Sequence, residues 1–236
     1  MTAHPLEDPL EVQSRVSPWD NLAMVRTGAR ARALEALLVR AGLRPAPEQP
    51  PSARIDDLPS DAAGRVVALY RQLGGQDEPA RFRPGKWDLA FEHGLVIELD
   101  EQLHFNRYRA LTLAGEWARL LPWRDEYLTY CRDREADCLA DGRWGQRWTN
   151  PSCEKLFGPA DPPGTFHGAG APRWKQRALY DAMKDAAALA STAVRLARLA
   201  VYDKVEGIEL GAGLEGQIRI DPAALASFVD SRLAAK

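Results

Sequence analysis

The sequence predicts an α/β (α+β) fold in which helices surround a few strands, with an irregular insertion mid-chain and a helix near the C-terminal end. Three observations carry this. Residues 82–105 alternate apolar and polar side chains about a central Glu92-His93-Gly94, the pattern of a β-hairpin. Several other segments repeat apolar residues every three or four positions, the spacing of a helix with one buried face. Residues 193–202, AVRLARLAVY, alternate Val194 and Leu196 with Arg195 and Ala197. This favours a strand, although Ala, Leu and Arg also suit a helix.

Taken in order, residues 1–20 read as an extended arm, and 21–236 as a single domain with an insertion at about 122–172. Asn21 to Gly42 reads as a helix carrying Leu34, Leu37, Leu38 and Ala41 on one stripe, with Gly42 as its stop. Residues 44–54 hold four prolines and must be loop. Ser60 to Leu73 reads as a short helix capped by Ser60 and ended by Gly74-Gly75. A helix is expected from Arg107 to Leu121. The segment 123–171 is rich in Trp, Gly, Pro and Cys and has weak periodicity, so it reads as irregular. Arg173 to Leu189 places Leu179, Met183 and Ala187 on one helical stripe. Short strands are expected around Gly211 and Gly213, and Pro222 opens a final helix to Ala234, since Pro suits a first helical turn.

The 45% hydrophobic content suffices for a core, and no apolar run approaches the length of a membrane span. Met1 to Leu10 lacks the basic and apolar regions of a signal peptide, so a cytoplasmic protein is expected. A net charge of -2 excludes a generally basic nucleic-acid coat protein. Arg26, Arg30 and Arg32, and further on Arg195 and Arg198, could make a local basic face, but ordinary solvated helix faces fit better. The three cysteines, Cys131, Cys138 and Cys153, are an odd set without a C-x-x-C pair. With His167 they could make a zinc site, but idle or buried thiols fit better. Trp123, Trp144, Trp148 and Trp174 have two uses open to them: stacking on exposed bases, or the more usual core of an irregular segment.

The chemistry gathers on the hairpin KWDLAFEHGLVIELD, 86–100. A three-residue loop needs a left-handed residue in third place, and Gly94 supplies it. The register then sets Phe91 opposite Leu95, Leu89 opposite Ile97 and Trp87 opposite Leu99 on an apolar face. The other face pairs Ala90 with Val96, Asp88 with Glu98 and Lys86 with Asp100. Opposed Asp88 and Glu98 repel each other, and Asp100 crowds the same face. A polar outer face is a common object, but a purely structural sheet gains nothing from that opposition. A divalent cation among the carboxylates would turn repulsion into coordination, and without one at least one carboxylate should have a raised pKa.

Asp88, then Glu98-Leu99-Asp100, then Glu101 to Phe105, resemble the PD-(D/E)XK nuclease superfamily, and within it the small bacterial proteins related to the very-short-patch repair endonucleases. LVIELDEQLH is similar to that group's pattern, with Glu101 in place of the usual Gly. His104, six residues past Glu98, matches the spacing of a functional histidine. LLVRAGLRP resembles the family's entry helix, and RALYDAMKDAAAL followed by AVRLARLAVYD its later helix and strand, which would set Lys184 and Asp185 beside the site. One departure stands out: Asp100 occupies the position where the motif usually has Lys.

The resemblance implies a restriction-endonuclease-like core, a mixed central sheet flanked by helices. It also implies a metal-dependent nuclease that hydrolyses DNA phosphodiester bonds, in repair, restriction or mobile-element contexts. Asp88, Glu98 and Asp100 would bind Mg²⁺ or Mn²⁺. Lys86, Lys184 or His104 would serve where the motif lysine is missing. Arg107 and Arg109 would contact the DNA backbone, and a homodimer is one assembly compatible with the family. If no lysine or histidine reaches the site, the same fold would be an inactive protein that binds nucleic acid or a partner.

Overall fold

The computed structural model describes residues 28–76 and 81–234. The N-terminal arm and the first part of the expected 21–42 helix lie outside the described residues. The fold is α+β. Its centre is the expected hairpin, with β1 (Leu89–Ala90) antiparallel to β2 (Leu95–Asp100) and Leu89 opposite Ile97, Ala90 opposite Val96. The loop between them closes with the Phe91 N–H donating to the Leu95 carbonyl at 2.8 Å. Gly94 is left-handed as expected (φ 71), and so is His93 (φ 60). A Cβ at Gly94 would stand 2.2 Å from the Ala193 carbonyl oxygen, so glycine is required twice over.

The expected strand at 193–202 forms as β3 (Arg195–Ala200). It lies parallel to β2 with Glu98 in register with Arg198 and Asp100 with Ala200. The sheet is therefore mixed, in the order β1-β2-β3. Every residue of β2 is buried, as a central strand covered on both faces should be. On one side lies a cluster joining Leu95, Ile97 and Leu99 to Leu34 and Leu38 of helix α1 (Ala29–Arg40). On the other, the polar face is covered by the helix at 172–190, whose Lys184 reaches Glu98, as the resemblance implies.

Helix α2 (Ser60–Gln72) starts one residue earlier than a Ser60 cap requires. Pro59 is the cap residue and Ser60 is already helical. Its C-terminal end is as expected: the Gly75 N–H reaches the Tyr70 carbonyl and the Gly74 N–H the Arg71 carbonyl, with Gly74 left-handed. The helix expected over 107–121 is shorter. Asn106 accepts from the Tyr108 and Arg109 N–H groups to start α3 (Arg107–Leu113), and a separate 3₁₀ turn follows at Glu116–Leu120. Gly115 permits the break, because a Cβ there would meet the Trp117 ring at 2.8 Å.

The segment 122–172 is irregular, as expected, over 158–171, but its first part is mostly helical. It folds as α4 (Arg124–Asp133), α5 (Glu135–Gly142) and α6 (Pro151–Phe157), the last opened by an Asn150 cap. Of these, α4 packs on α3, α5 on α4 and on the turn at Gln102–His104, and α6 on α7 (Pro172–Ala190). Trp123, Trp148 and Trp174 are buried, whereas Trp144 is 60% exposed. Three of the four tryptophans are thus core. All three cysteines are buried and free, and burial pushes the Cys131 and Cys138 thiols up to about 12. Beyond β3, Gly211 and Gly213 lie in a helix and not in the expected strands. A small ribbon, β4 (Lys204–Val205) with β5 (Ile208–Glu209), leads into the short helix α8 (Leu210–Leu214). Asp221 then caps α9 (Pro222–Ser231), which packs on α1 and β3. No helix among the described residues is long and apolar enough to cross a membrane.

Candidate active site

Where β2 emerges beneath α7, a cleft of about 390 Å³ opens, lined by Asp88, Glu98 and His104 from the hairpin side and by Arg177, Asp181 and Lys184 from α7. The paired ladder of the hairpin ends at Leu89 and Ile97, and Asp88, the next residue, still meets Glu98 as expected. The Asp88 N–H donates to Glu98 Oε1 at 3.2 Å, and the Leu99 N–H donates to Asp88 Oδ2 at 2.9 Å. Asp88 Oδ1 makes no hydrogen bond among the described residues. Asp88 keeps its outer side in solvent while protein crowds its inner side. That crowding raises its pKa, with the Asp100 charge adding to it and the Leu99 N–H and Lys184 opposing.

Glu98 is 3% exposed. Burial, reinforced by the Asp88 charge and opposed by Arg198 and Lys184, pushes its carboxyl from 4.5 to about 7. Lys184 Nζ lies 2.7 and 2.8 Å from the two Glu98 oxygens and also donates to the Lys86 carbonyl at 2.8 Å. Of the two candidate lysines, Lys184 reaches the site with its ammonium. Lys86 lines the cleft with an exposed residue, contributes its carbonyl, and does not form the expected pair with Asp100.

Asp100 is held differently. Arg198 Nη1 donates to both of its oxygens, at 2.9 and 2.8 Å, and the Tyr127 hydroxyl donates to Oδ2 at 2.8 Å. Burial opposes ionisation there, but Arg198, His104 and Arg109 hold the carboxyl below its ordinary value. The structure thus does not bring Asp100 together with Asp88 and Glu98 as a third free ligand. It ties Asp100 into a buried charge network instead. Arg198 also reaches Asp185 at 2.6 Å and Asp181 at 3.3 Å, and Arg109 reaches Asp185 at 2.8 Å. Both guanidinium groups are fully buried, so Arg109 is no DNA contact and Arg198 is not a solvated residue. Arg107 is taken up by Glu135, at 2.8 Å.

His104 joins this network to the cleft. Its Nδ1 sits 2.8 Å from Asp181 Oδ2 and 3.1 Å from Asp100 Oδ1. Among the described residues, the groups whose ligand atoms all lie within 4.8 Å of one another are Asp100, His104 and Asp181. Arg198 already balances both of these carboxylates, so the trio is closed as a hydrogen-bonded relay rather than open to an ion. With Nδ1 occupied, Nε2 is the ring nitrogen left for other work. The charges of His104 and Arg198 outweigh burial and hold Asp181 well below the carboxylate range.

Reading the sequence missed the parts played by Asp181, Arg198, Arg173 and Arg177. Arg173, Arg177, Asp181 and Lys184 recur at helical spacing on α7, a polar stripe on an otherwise buried helix, and that signal was there to find. Arg177 donates to the Leu103 carbonyl and Arg173 to Gln176. Neither forms an ion pair among the described residues.

A family model described as a family of unknown function (DUF7255) matches residues 68–216, a span that includes every cleft residue from Asp88 to Lys184. No curated protein and no solved structure matches the chain.

Proposed function

We propose that this chain, which belongs to the DUF7255 family of unknown function, is a metal-dependent nuclease that hydrolyses phosphodiester bonds of DNA. The observation that carries this reading is the meeting of Asp88, Glu98 and the Lys184 ammonium on one wall of a cleft. Arg173 and Arg177, unpaired with any described acid, line the same cleft.

The donor set fits a hard divalent cation. Asp88 and Glu98 are adjacent oxygen donors, the Asp88 charge raises the Glu98 pKa, and Asp88 Oδ1 is uncommitted. Asp100 does not fit, because Arg198 and Tyr127 take up its oxygens. Mg²⁺ or Mn²⁺ held by Asp88 and Glu98 would supply Lewis acidity toward water and the scissile phosphate. The three ammonium hydrogens of Lys184 are committed to Glu98 and the Lys86 carbonyl; once a cation took up Glu98, Lys184 would turn one of them to a water or a phosphate oxygen, the work expected of the motif lysine. His104, anchored through Nδ1 by Asp181 and Asp100, uses Nε2 to carry a proton to or from the reacting oxygens. Arg173 and Arg177 bind phosphate oxygens and orient the strand.

The test is incubation with labelled single-stranded, nicked, mismatched and branched DNA in Mg²⁺ or Mn²⁺, using Asp88→Ala, Glu98→Ala and Lys184→Ala as controls. Cleavage by the wild type, lost at least about a hundredfold in each variant, is expected. Intact substrates, together with no heat on titration with Mn²⁺, would refute it. One observation favours a second reading, an inactive protein of the same fold that binds nucleic acid or a partner: Lys184 already occupies both Glu98 oxygens. Nucleic-acid binding without Mn²⁺ binding would decide for it.

A further inference from the structure

A second concavity, about 610 Å³, lies along the chain that enters the cleft, and its walls include Arg54, Arg81 and Arg83 against one carboxylate, Asp56. We infer that this groove binds the sugar-phosphate backbone of the nucleic acid whose scissile bond lies in the cleft. The inference rests on the proposed function for the identity of the polymer.

Charge is the first argument. All three arginines are exposed, and none forms a hydrogen bond or an ion pair among the described residues. The whole chain carries -2, and among the described residues eleven of the twenty other arginines are ion-paired with acids, as Arg30, Arg65, Arg107, Arg109, Arg124 and Arg198 are. Three unmatched guanidinium groups in one groove are therefore a local excess, and guanidinium is the side chain best shaped for phosphate oxygens.

Geometry is the second. From 81 to 84 burial alternates: Arg81 and Arg83 face out while Phe82 and Pro84 are buried. That period is the one an extended chain gives, and it sets alternate side chains roughly 6 to 7 Å apart, of the order of the step between successive phosphates on one strand. Phe82 packs edge-on against Tyr70 with ring centroids 5.0 Å apart. The arginines thus project from an anchored segment, which lowers the entropy lost when they bind.

Continuity is the third. The segment that lines the groove at Arg83 and Pro84 goes on to line the cleft at Gly85, Lys86 and Asp88. A polymer with a regular anionic repeat can satisfy groove and cleft together.

The experiment measures binding of a fluorescein-labelled 30-mer, single-stranded and duplex, by anisotropy in EDTA over a range of salt concentrations. It uses the full chain, the triple variant Arg54→Ala/Arg81→Ala/Arg83→Ala, the matching triple Lys variant, and Arg132→Ala as a distant control. Circular dichroism checks that each variant is folded. At roughly 0.7 to 0.9 per phosphate released, the slope of log affinity against log salt should fall by about 2 in the Ala variant. It should be largely kept in the Lys variant and unchanged in the control. If wild type and Ala variant share affinity and slope, or if polyglutamate competes as well as DNA, the inference is wrong. Cleavage is scored in parallel. Loss of binding in the Ala variant without any wild-type cleavage upholds the groove and counts against hydrolysis. Wild-type cleavage with an unaffected Ala variant does the reverse.

Discussion

Glu98→Gln should make the protein more stable relative to wild type as pH rises. Glu98 is buried, and its carboxyl is pushed up to about 7 from 4.5, by burial first and by Asp88 second. Its folded-state pKa thus lies above its unfolded value. Between those two values the unfolded chain has released the proton and the folded chain still holds it, so stability falls with rising pH. The stabilisation is fully present below about 4.5 and gone above about 7. A gap of this size corresponds to about 3 kcal/mol in total, of which about 2 to 3 is lost between pH 5 and pH 8. A glutamine side chain does not titrate, so other ionisable groups cancel when the two proteins are compared. Urea unfolding of both in EDTA at pH 5, 6, 7 and 8 is the assay. The wild-type free energy minus that of the Gln variant should drop by about 2 to 3 kcal/mol across the series. On the proposed metal site, Mn²⁺ would compete with the proton at Glu98. At a hundredfold excess over its Kd it should return about 3 kcal/mol to the wild type at pH 8 and less to the variant. Parallel stability curves for the two proteins in EDTA would show that Glu98 does not carry the raised pKa assigned to it.

Three further outcomes follow from the packing. Arg198→Met leaves Asp100, Asp181 and Asp185 without their shared counter-ion and should cost about 3 to 5 kcal/mol in urea unfolding. Gly94→Ala must place a side chain at φ 71 against the Ala193 carbonyl, and a loss of about 1 to 3 kcal/mol or more is expected in the same assay. Trp174→Ala, at a fully buried ring, should cost about 3 to 5 kcal/mol, whereas Trp144→Ala, at the exposed one, should stay within about 0.5.

How much of this could be read from the chain depends on the range of the interactions. The hairpin is local. Alternation and one glycine loop fix its register, and Asp88 opposite Glu98 followed from counting residues. The stripe of α7 and the Pro222 start of α9 are equally local and were legible. The helices between 124 and 157 were not, because they present so little apolar surface. In α4 the buried side chains are Tyr127 and Cys131, a single i, i+4 pair, too little to raise a periodic signal. Arg198 and Asp181 were hidden for another reason. Each is interpreted by a partner distant in sequence, Asp100 and His104 respectively, and no pattern within one segment encodes that pairing.

Position 100 shows what this costs a reading from sequence. Its acid stands where the resembling family usually has lysine, which reads either as a lost catalytic group or as a third metal ligand. The structure gives it neither of those surroundings. Parallel pairing with β3 sets Arg198 in register with Glu98, and its guanidinium closes on Asp100, Asp181 and Asp185 at once. A lysine at 100 would put a second cation against Arg198 in a space sealed from water, where like charges are most costly. The ammonium at Glu98 comes instead from Lys184 on α7. Asp100, neutralised from behind, shares with Asp181 the job of orienting His104. Asp100 on the strand and Lys184 from the helix therefore belong to one electrostatic arrangement. Asp100→Lys with Arg198 left in place should destabilise the fold.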